Sequence, residues 1–170
     1  MYLKTNDKYS AFNSQIAKNE KNDCFVRALA IAAEVDYDTA HQTAREVFKR
    51  KDKKGTMGAM IAAVFLKAAD AGSTFNVGKK EVGVEVLSKT HIKNKYKLKG
   101  EIIWRKKTLK SFIESHKTGT YLVTVSGHAL TVKDGELMDW DQMAYLPTRK
   151  VLAAYRIKTN KPEAVQLSLF

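Results

Sequence analysis

In Asn22-Asp23-Cys24-Phe25-Val26-Arg27-Ala28-Leu29-Ala30-Ile31-Ala32-Ala33, Arg27 is the only charged residue after Asp23. A helix that is apolar on nearly every side is a buried helix, so a central helix is expected over residues 23 to 34. Asn22 and Asp23 are N-cap residue types and mark its start. Cys24, the single cysteine of the chain, then falls in the first turn. Backbone N–H groups without helical partners and the positive end of the helix dipole gather there, and both favour a thiolate over a thiol. A lone cysteine also serves as a small buried hydrophobe. A second stretch, from Tyr121 to Trp140, turns the reading towards chemistry.

Outward from the central helix, the elements fall into two groups. Residues 1 to 21 are polar and read as an extended lead-in with a short strand near Tyr2-Leu3. Asp36 or Asp38 caps a second helix from 37 to 51, with Tyr37, Ala40, Ala44, Val47 and Phe48 on one face. His41, Gln42, Arg45 and Glu46 lie off that face, which makes His41 a surface residue. After Lys53-Lys54-Gly55, Thr56 caps a third helix from 57 to 71, ending at Gly72, with a core stripe of Met57, Met60, Ile61, Val64, Phe65 and Ala68.

Phe75 to Val77 and Val82 to Val86 alternate weakly, as strands or a short helix would. Thr90 to Gly100 reads as a basic, loop-rich insertion with His91 exposed, Ile102-Ile103-Trp104 as a strand, and Thr108 to His116 as a short helix. Period two then takes over. Tyr121 to Val125, His128 to Val132 and Glu136 to Trp140 are expected as consecutive antiparallel strands, and Val151 to Ile157 as a last one. Helices first and strands later make an α+β fold, with the buried helix packed on a C-terminal antiparallel sheet. A domain over residues 1 to 157 and a flexible tail over 158 to 170 follow from this pattern.

The composition is ordinary for a globular chain, with 44% hydrophobic and 28% charged residues in 170. One cysteine excludes an internal disulfide framework and fits a reducing compartment. No leader is visible at Met1-Tyr2-Leu3-Lys4, and no apolar run reaches the ~18 residues of a membrane span. The expected setting is cytoplasmic, without membrane, metal or cofactor. Thirty Lys and Arg against eighteen Asp and Glu give +12, which fits either an anionic partner, with weak, nonspecific DNA contact, or a solvated basic surface. The basic residues are scattered and form no binding-module signature.

Asp134-Gly135 is a strong two-residue hairpin signal. That turn sets Lys133 against Glu136 and His128 against Asp141. Side chains alternate faces along a strand, so Asp139, on the diagonal, and Asp141, directly opposite, share a face with His128. A carboxylate there orients the imidazole and stabilises its charged form. A thiol brought beside it completes a Cys–His–Asp set.

Cys on a central helix, then His and Asp on strands, resembles the papain-like cysteine peptidases. The resemblance is closer to the small bacterial and phage-encoded members related to bacteriocin-processing peptidases. In those, a segment like Asn22-Asp23-Cys24-Phe25-Val26-Arg27-Ala28-Leu29-Ala30 opens the fold. A segment like Gly127-His128-Ala129-Leu130-Thr131-Val132-Lys133-Asp134-Gly135-Glu136-Leu137-Met138-Asp139 closes the site. The likeness runs from residue 20 to 157, with the middle unmatched. It implies a papain-like fold with Cys24 as nucleophile, His128 as general base and Asp139 as the orienting residue, with Asp141 as the stand-in. It also implies a protein or peptide substrate; a deamidase or acyltransferase would use the same three residues. The family often places a Gln several residues before the Cys for the oxyanion hole. Gln15 lies too far back, so Asn19 or Asn22 must serve, with the backbone N–H of Cys24.

The tail ends Gln166-Leu167-Ser168-Leu169-Phe170, after the polar stretch Thr159 to Glu163. Either it packs back as a last strand, or it is a short linear motif for a partner's groove. All five positions resemble the consensus by which bacterial proteins bind the DNA polymerase sliding clamp. By that resemblance Gln166 makes polar contacts and Leu167, Leu169 and Phe170 enter an apolar pocket. The expectation is a cysteine hydrolase, a protease, recruited to the clamp in a bacterial or phage-infected cell. The alternative is a non-catalytic clamp-binding protein that competes with host replication factors.

Overall fold

A computed structural model describes residues 2–3, 14–87, 107–138 and 146–159. The expected insertion with His91, the strand at Ile102-Ile103-Trp104, Asp139, Asp141 and the tail motif lie outside the described residues. The fold is α+β. The described elements are β1 (Tyr2–Leu3), α1 (Gln15–Lys18), α2 (Cys24–Ala33), α3 (Tyr37–Glu46), α4 (Gly58–Asp70), β2 (Thr74–Val77), β3 (Lys80–Val86), α5 (Leu109–Ser115), β4 (Thr120–Val125), β5 (His128–Lys133), β6 (Glu136–Met138), a 3-10 turn (Leu146–Thr148) and β7 (Val151–Thr159). The strands form one sheet in the order β1-β6-β5-β4-β7-β3-β2, antiparallel except where β1 joins β6.

Strand alternation assigns the two faces of this sheet. Leu122, Ala129, Ala153, Tyr155 and Ile157 pack with α2, α3 and α4 in one core. Tyr121, Val123, Val125, Leu130, Val132, Val151 and Ala154 pack with Leu109 and Phe112 of α5 in a second. Both faces of the central strands are therefore covered, and Tyr121 to Val125 is buried throughout. Helix α2 is buried from Phe25 to Ala33 apart from Arg27, as its apolar circumference requires. Buried Thr131 Oγ1 donates to the Ala28 carbonyl at 2.7 Å and fastens α2 to β5. No helix among the described residues is long and apolar enough to cross a membrane.

The Asp134-Gly135 turn takes φ values of 50° and 79°, and the register Lys133↔Glu136, Val132↔Leu137, Thr131↔Met138 is the one a two-residue loop imposes. Asp134 is exposed, and its carboxylate accepts from the Gly119 N–H at 2.9 Å. Several local expectations need correction. Helix α3 stops at Glu46 instead of 51, because Lys49 turns to φ 56° and Arg50 folds back into the protein. Helix α4 is capped at Met57 without a side-chain bond, one residue past Thr56. The lead-in holds a short helix, α1, whose N-cap Ser14 accepts from Ala17 N–H.

Candidate active site

Helix α2 starts where expected, with Asp23 at the N-cap position, yet Asp23 makes no side-chain cap bond. Its buried carboxylate faces the other way, accepting from Tyr37 Oη at 2.7 Å and from Arg27 Nε at 3.1 Å. Burial, and then the Asp23 carboxylate, push the Tyr37 hydroxyl well above its ordinary range and keep it a donor. Arg27 lies 5.5 Å from the centre of the Tyr37 ring. The Asp23 carboxylate thus makes no bond to the first-turn N–H groups of α2.

Asn22, the residue before, sits at φ 53°, a left-handed conformation that Asn tolerates. Its Nδ2 donates to the Lys53 carbonyl at 3.1 Å. The Lys53 N–H in turn donates to Glu20 Oε1 at 2.7 Å. Glu20 Oε2 receives Arg50 Nη1 at 2.7 Å and lies 2.5 Å from His41 Nε2. Burial alone would raise the Glu20 carboxyl, but the bonds from Arg50, His41 and the Lys53 N–H outweigh it and carry the group down to about 2. His41 is therefore buried and paired, not the surface residue its helical position implied. Glu20, His41 and Asp52 are the one group among the described residues with ligand spacing for a metal. Arg50 already supplies the positive charge on Glu20, so the arrangement works as a clamp on the loop after α3.

Cys24, from the start of α2, and His128, from the start of β5, line one cavity of about 410 Å³. Both are half-buried. The turn before His128 places Gly127 at φ 74°, where a Cβ would meet nothing within 4 Å, so this wall of the cavity is open backbone. Asn22, Gly55, Thr56, Thr124 and Leu152 complete much of the lining, and no Lys, Arg, Asp or Glu takes part among the described residues. The hydroxyls of Thr124 and Thr56, two residues of the lining, are buried without a hydrogen-bond partner among the described residues.

Of the expected residues, Cys24, His128 and Asn22 meet at this cavity. Asn19 does not line it. It ends α1, and its amide donates to the Gln15 carbonyl at 3.2 Å. Asp139 and the five tail residues fall outside the described segments. Glu20, Arg50 and Thr124 were not singled out from sequence, and Thr56 was read only as a helix cap. Glu20 and Arg50 stand thirty residues apart with no local pattern to link them, and Tyr37 carried only its apolar signal. No protein-family profile matches this chain, and no curated protein and no solved structure matches it either.

Proposed function

We propose that this chain is a papain-like cysteine hydrolase, a protease, recruited to the bacterial DNA sliding clamp. The observation that carries the catalytic part is the shared cavity of Cys24 and His128, a thiol at the start of a buried ten-residue helix and an imidazole at the start of a strand in the sheet beneath it. In this mechanism Cys24 Sγ attacks a substrate carbonyl while its proton passes to His128. The oxyanion of the tetrahedral intermediate is held by the Cys24 N–H in the first turn of α2. Collapse of the intermediate breaks the C–N bond, and His128 returns the proton to the leaving amine. Water then attacks the acyl-enzyme with His128 as base, releasing the acid and the thiol. Asp139 orients the imidazole in this scheme.

Intact-mass labelling of Cys24 with iodoacetamide across pH tests the pair. Wild type is expected to label at pH 6.5 many times faster than a free cysteine, and His128→Ala to lose that advantage. Identical pH profiles for wild type, His128→Ala and a free cysteine would defeat the catalytic reading. Recruitment rests on Gln166-Leu167-Ser168-Leu169-Phe170, and calorimetry of the full chain and a chain lacking residues 166 to 170 against purified clamp tests it. A second reading is a non-catalytic clamp-binding protein that keeps the scaffold and competes with replication factors. It is favoured by the Asn22 amide, which already donates to the Lys53 carbonyl where a peptidase would aim a donor at the oxyanion.

A further inference from the structure

The loop that follows α3 borders the Cys24 cavity and opens a second one. This neighbour, of about 220 Å³, is lined by Lys49, Lys51 and Lys54, by Phe48, Met57 and Met60, and by Gly55 and Thr56, which it shares with the Cys24 cavity. The two spaces therefore adjoin at Gly55-Thr56. The cations on its rim are not neutralised by the loop's own charges. Arg50 is taken up by buried Glu20. Asp52, the loop's only acidic residue, lines a different cavity with His41 and stands 4.0 Å from its ring. Lys49 reaches the Glu46 carbonyl at 2.8 Å, a neutral acceptor, while Lys51 and Lys54 are exposed. Met57 in the same lining is 55% exposed, the most of any large hydrophobic side chain among the described residues. The partnerless Thr56 hydroxyl lies where the two cavities meet.

We propose that this second cavity is a specificity subsite for an acidic peptide segment, its lysines receiving a carboxylate side chain and its methionines an adjoining apolar one, beside the bond presented to Cys24. The proposal takes its peptide substrate from the hydrolase reading. A phosphodiester backbone would use the lysines but leave the exposed Met57 without a partner, so a peptide fits the lining better than nucleic acid. Among the described residues, no Lys, Arg, Asp or Glu lines the Cys24 cavity, and the lysines line its neighbour. Exposed ammonium groups give modest, salt-screened attraction.

The experiment uses two fluorescein-labelled hexapeptides that differ only in Glu or Gln next to a leucine, read by anisotropy on the full chain carrying Cys24→Ser. At low salt the Glu peptide is expected to bind about tenfold more tightly than the Gln peptide, a preference lost at high ionic strength. In a Lys51→Ala, Lys54→Ala chain with unchanged circular dichroism, the two peptides should bind alike. Equal binding in the parent chain, or an unchanged preference in the double variant, overturns the proposal. So does complete displacement of the Glu peptide by a single-stranded oligonucleotide of the same charge at lower concentration. On the wild-type chain the Glu peptide should slow alkylation of Cys24 by iodoacetamide severalfold, because the two cavities adjoin; tight binding without protection also overturns it. Protection of a thiol that lacks enhanced reactivity at neutral pH would leave the subsite standing and remove the hydrolase reading alone.

Discussion

Replacing Glu20 with Gln tests the clamp that holds the chain next to Cys24. The carboxylate is almost wholly enclosed, with its side chain 4% exposed, and it meets Arg50, His41 and the Lys53 N–H together. Its pKa stands at about 2 against a reference of 4.5. A depressed carboxyl contributes stability that is complete above the unfolded value, near 4.5, and is lost as pH falls through the folded value, near 2. At about 1.4 kcal/mol per pK unit, that difference corresponds to roughly 3 kcal/mol at pH 7. Gln has the shape of the protonated acid, so Glu20→Gln should lower stability by about that amount at neutral pH. With a urea slope of about 2 kcal/mol per molar, the midpoint falls by roughly 1.5 M. The gap between the two proteins should shrink to under about half at pH 3 and nearly vanish at pH 2. Urea unfolding followed by circular dichroism at the three pH values measures it. A gap of equal size at pH 7 and pH 3, or none at pH 7, would refute the argument that ionised Glu20 organises this loop.

Asn22→Ala removes the bond to the Lys53 carbonyl and puts a Cβ-bearing residue without a polar tip at φ 53°, so thermal unfolding should report a loss of about 1–2 kcal/mol. Asn22→Gly should recover the backbone part, and equal losses for the two variants would show that conformation plays no role. Thr131→Val breaks the 2.7 Å bond from a fully buried hydroxyl to the Ala28 carbonyl and should cost about 1–2 kcal/mol in denaturant unfolding; unchanged stability would count against that bond as a fastening between α2 and β5. Removal of residues 166 to 170 should abolish a roughly micromolar clamp affinity in calorimetry, since three large apolar side chains gain several kcal/mol on burial and ordering the segment takes much of it back. Equal binding by the truncated chain would sink the clamp proposal, and loss of folding would show the tail to be part of the core.

The parts legible in sequence were those whose physics is local. An uninterrupted apolar run identifies α2 because burial on all sides leaves no room for a polar stripe. Asp134-Gly135 fixes a register because two consecutive positive φ angles suit few other residue pairs. The positions of Cys24 and His128 followed from those two features, and both residues line one cavity. What escaped depends on contacts across the chain. His41 lies off the apolar face of its own helix, yet it is buried and paired with Glu20, twenty-one residues earlier. The end of α3 was overestimated for the same reason, since residues 49 to 51 fit a helical pattern but Arg50 is drawn away to Glu20 and the Lys21 carbonyl. Asp23 was read correctly in position and incorrectly in role, because the acceptor-seeking partner, Tyr37, looked like an ordinary core aromatic.

The role of Asp23 bears directly on the chemistry. An aspartate at an N-cap normally turns its carboxylate onto the first-turn N–H groups, a contact worth about 1 kcal/mol. Here that carboxylate is held away by Tyr37 and Arg27, and the helix forgoes its cap. A carboxylate over the first turn would set negative charge beside Cys24 and occupy the N–H groups that a developing oxyanion needs. Bonded instead to buried Tyr37 and half-buried Arg27, it leaves the first-turn N–H groups of α2 without a side-chain cap at the cavity. The same geometry ties residue 23 to α3, and Asn22 to the loop after α3, so both residues preceding Cys24 are pinned to that helix and its exit. Preorganised donors of this kind act only if they do not relax when charge appears, and a short segment fixed from two sides satisfies that condition better than a capped but isolated helix end.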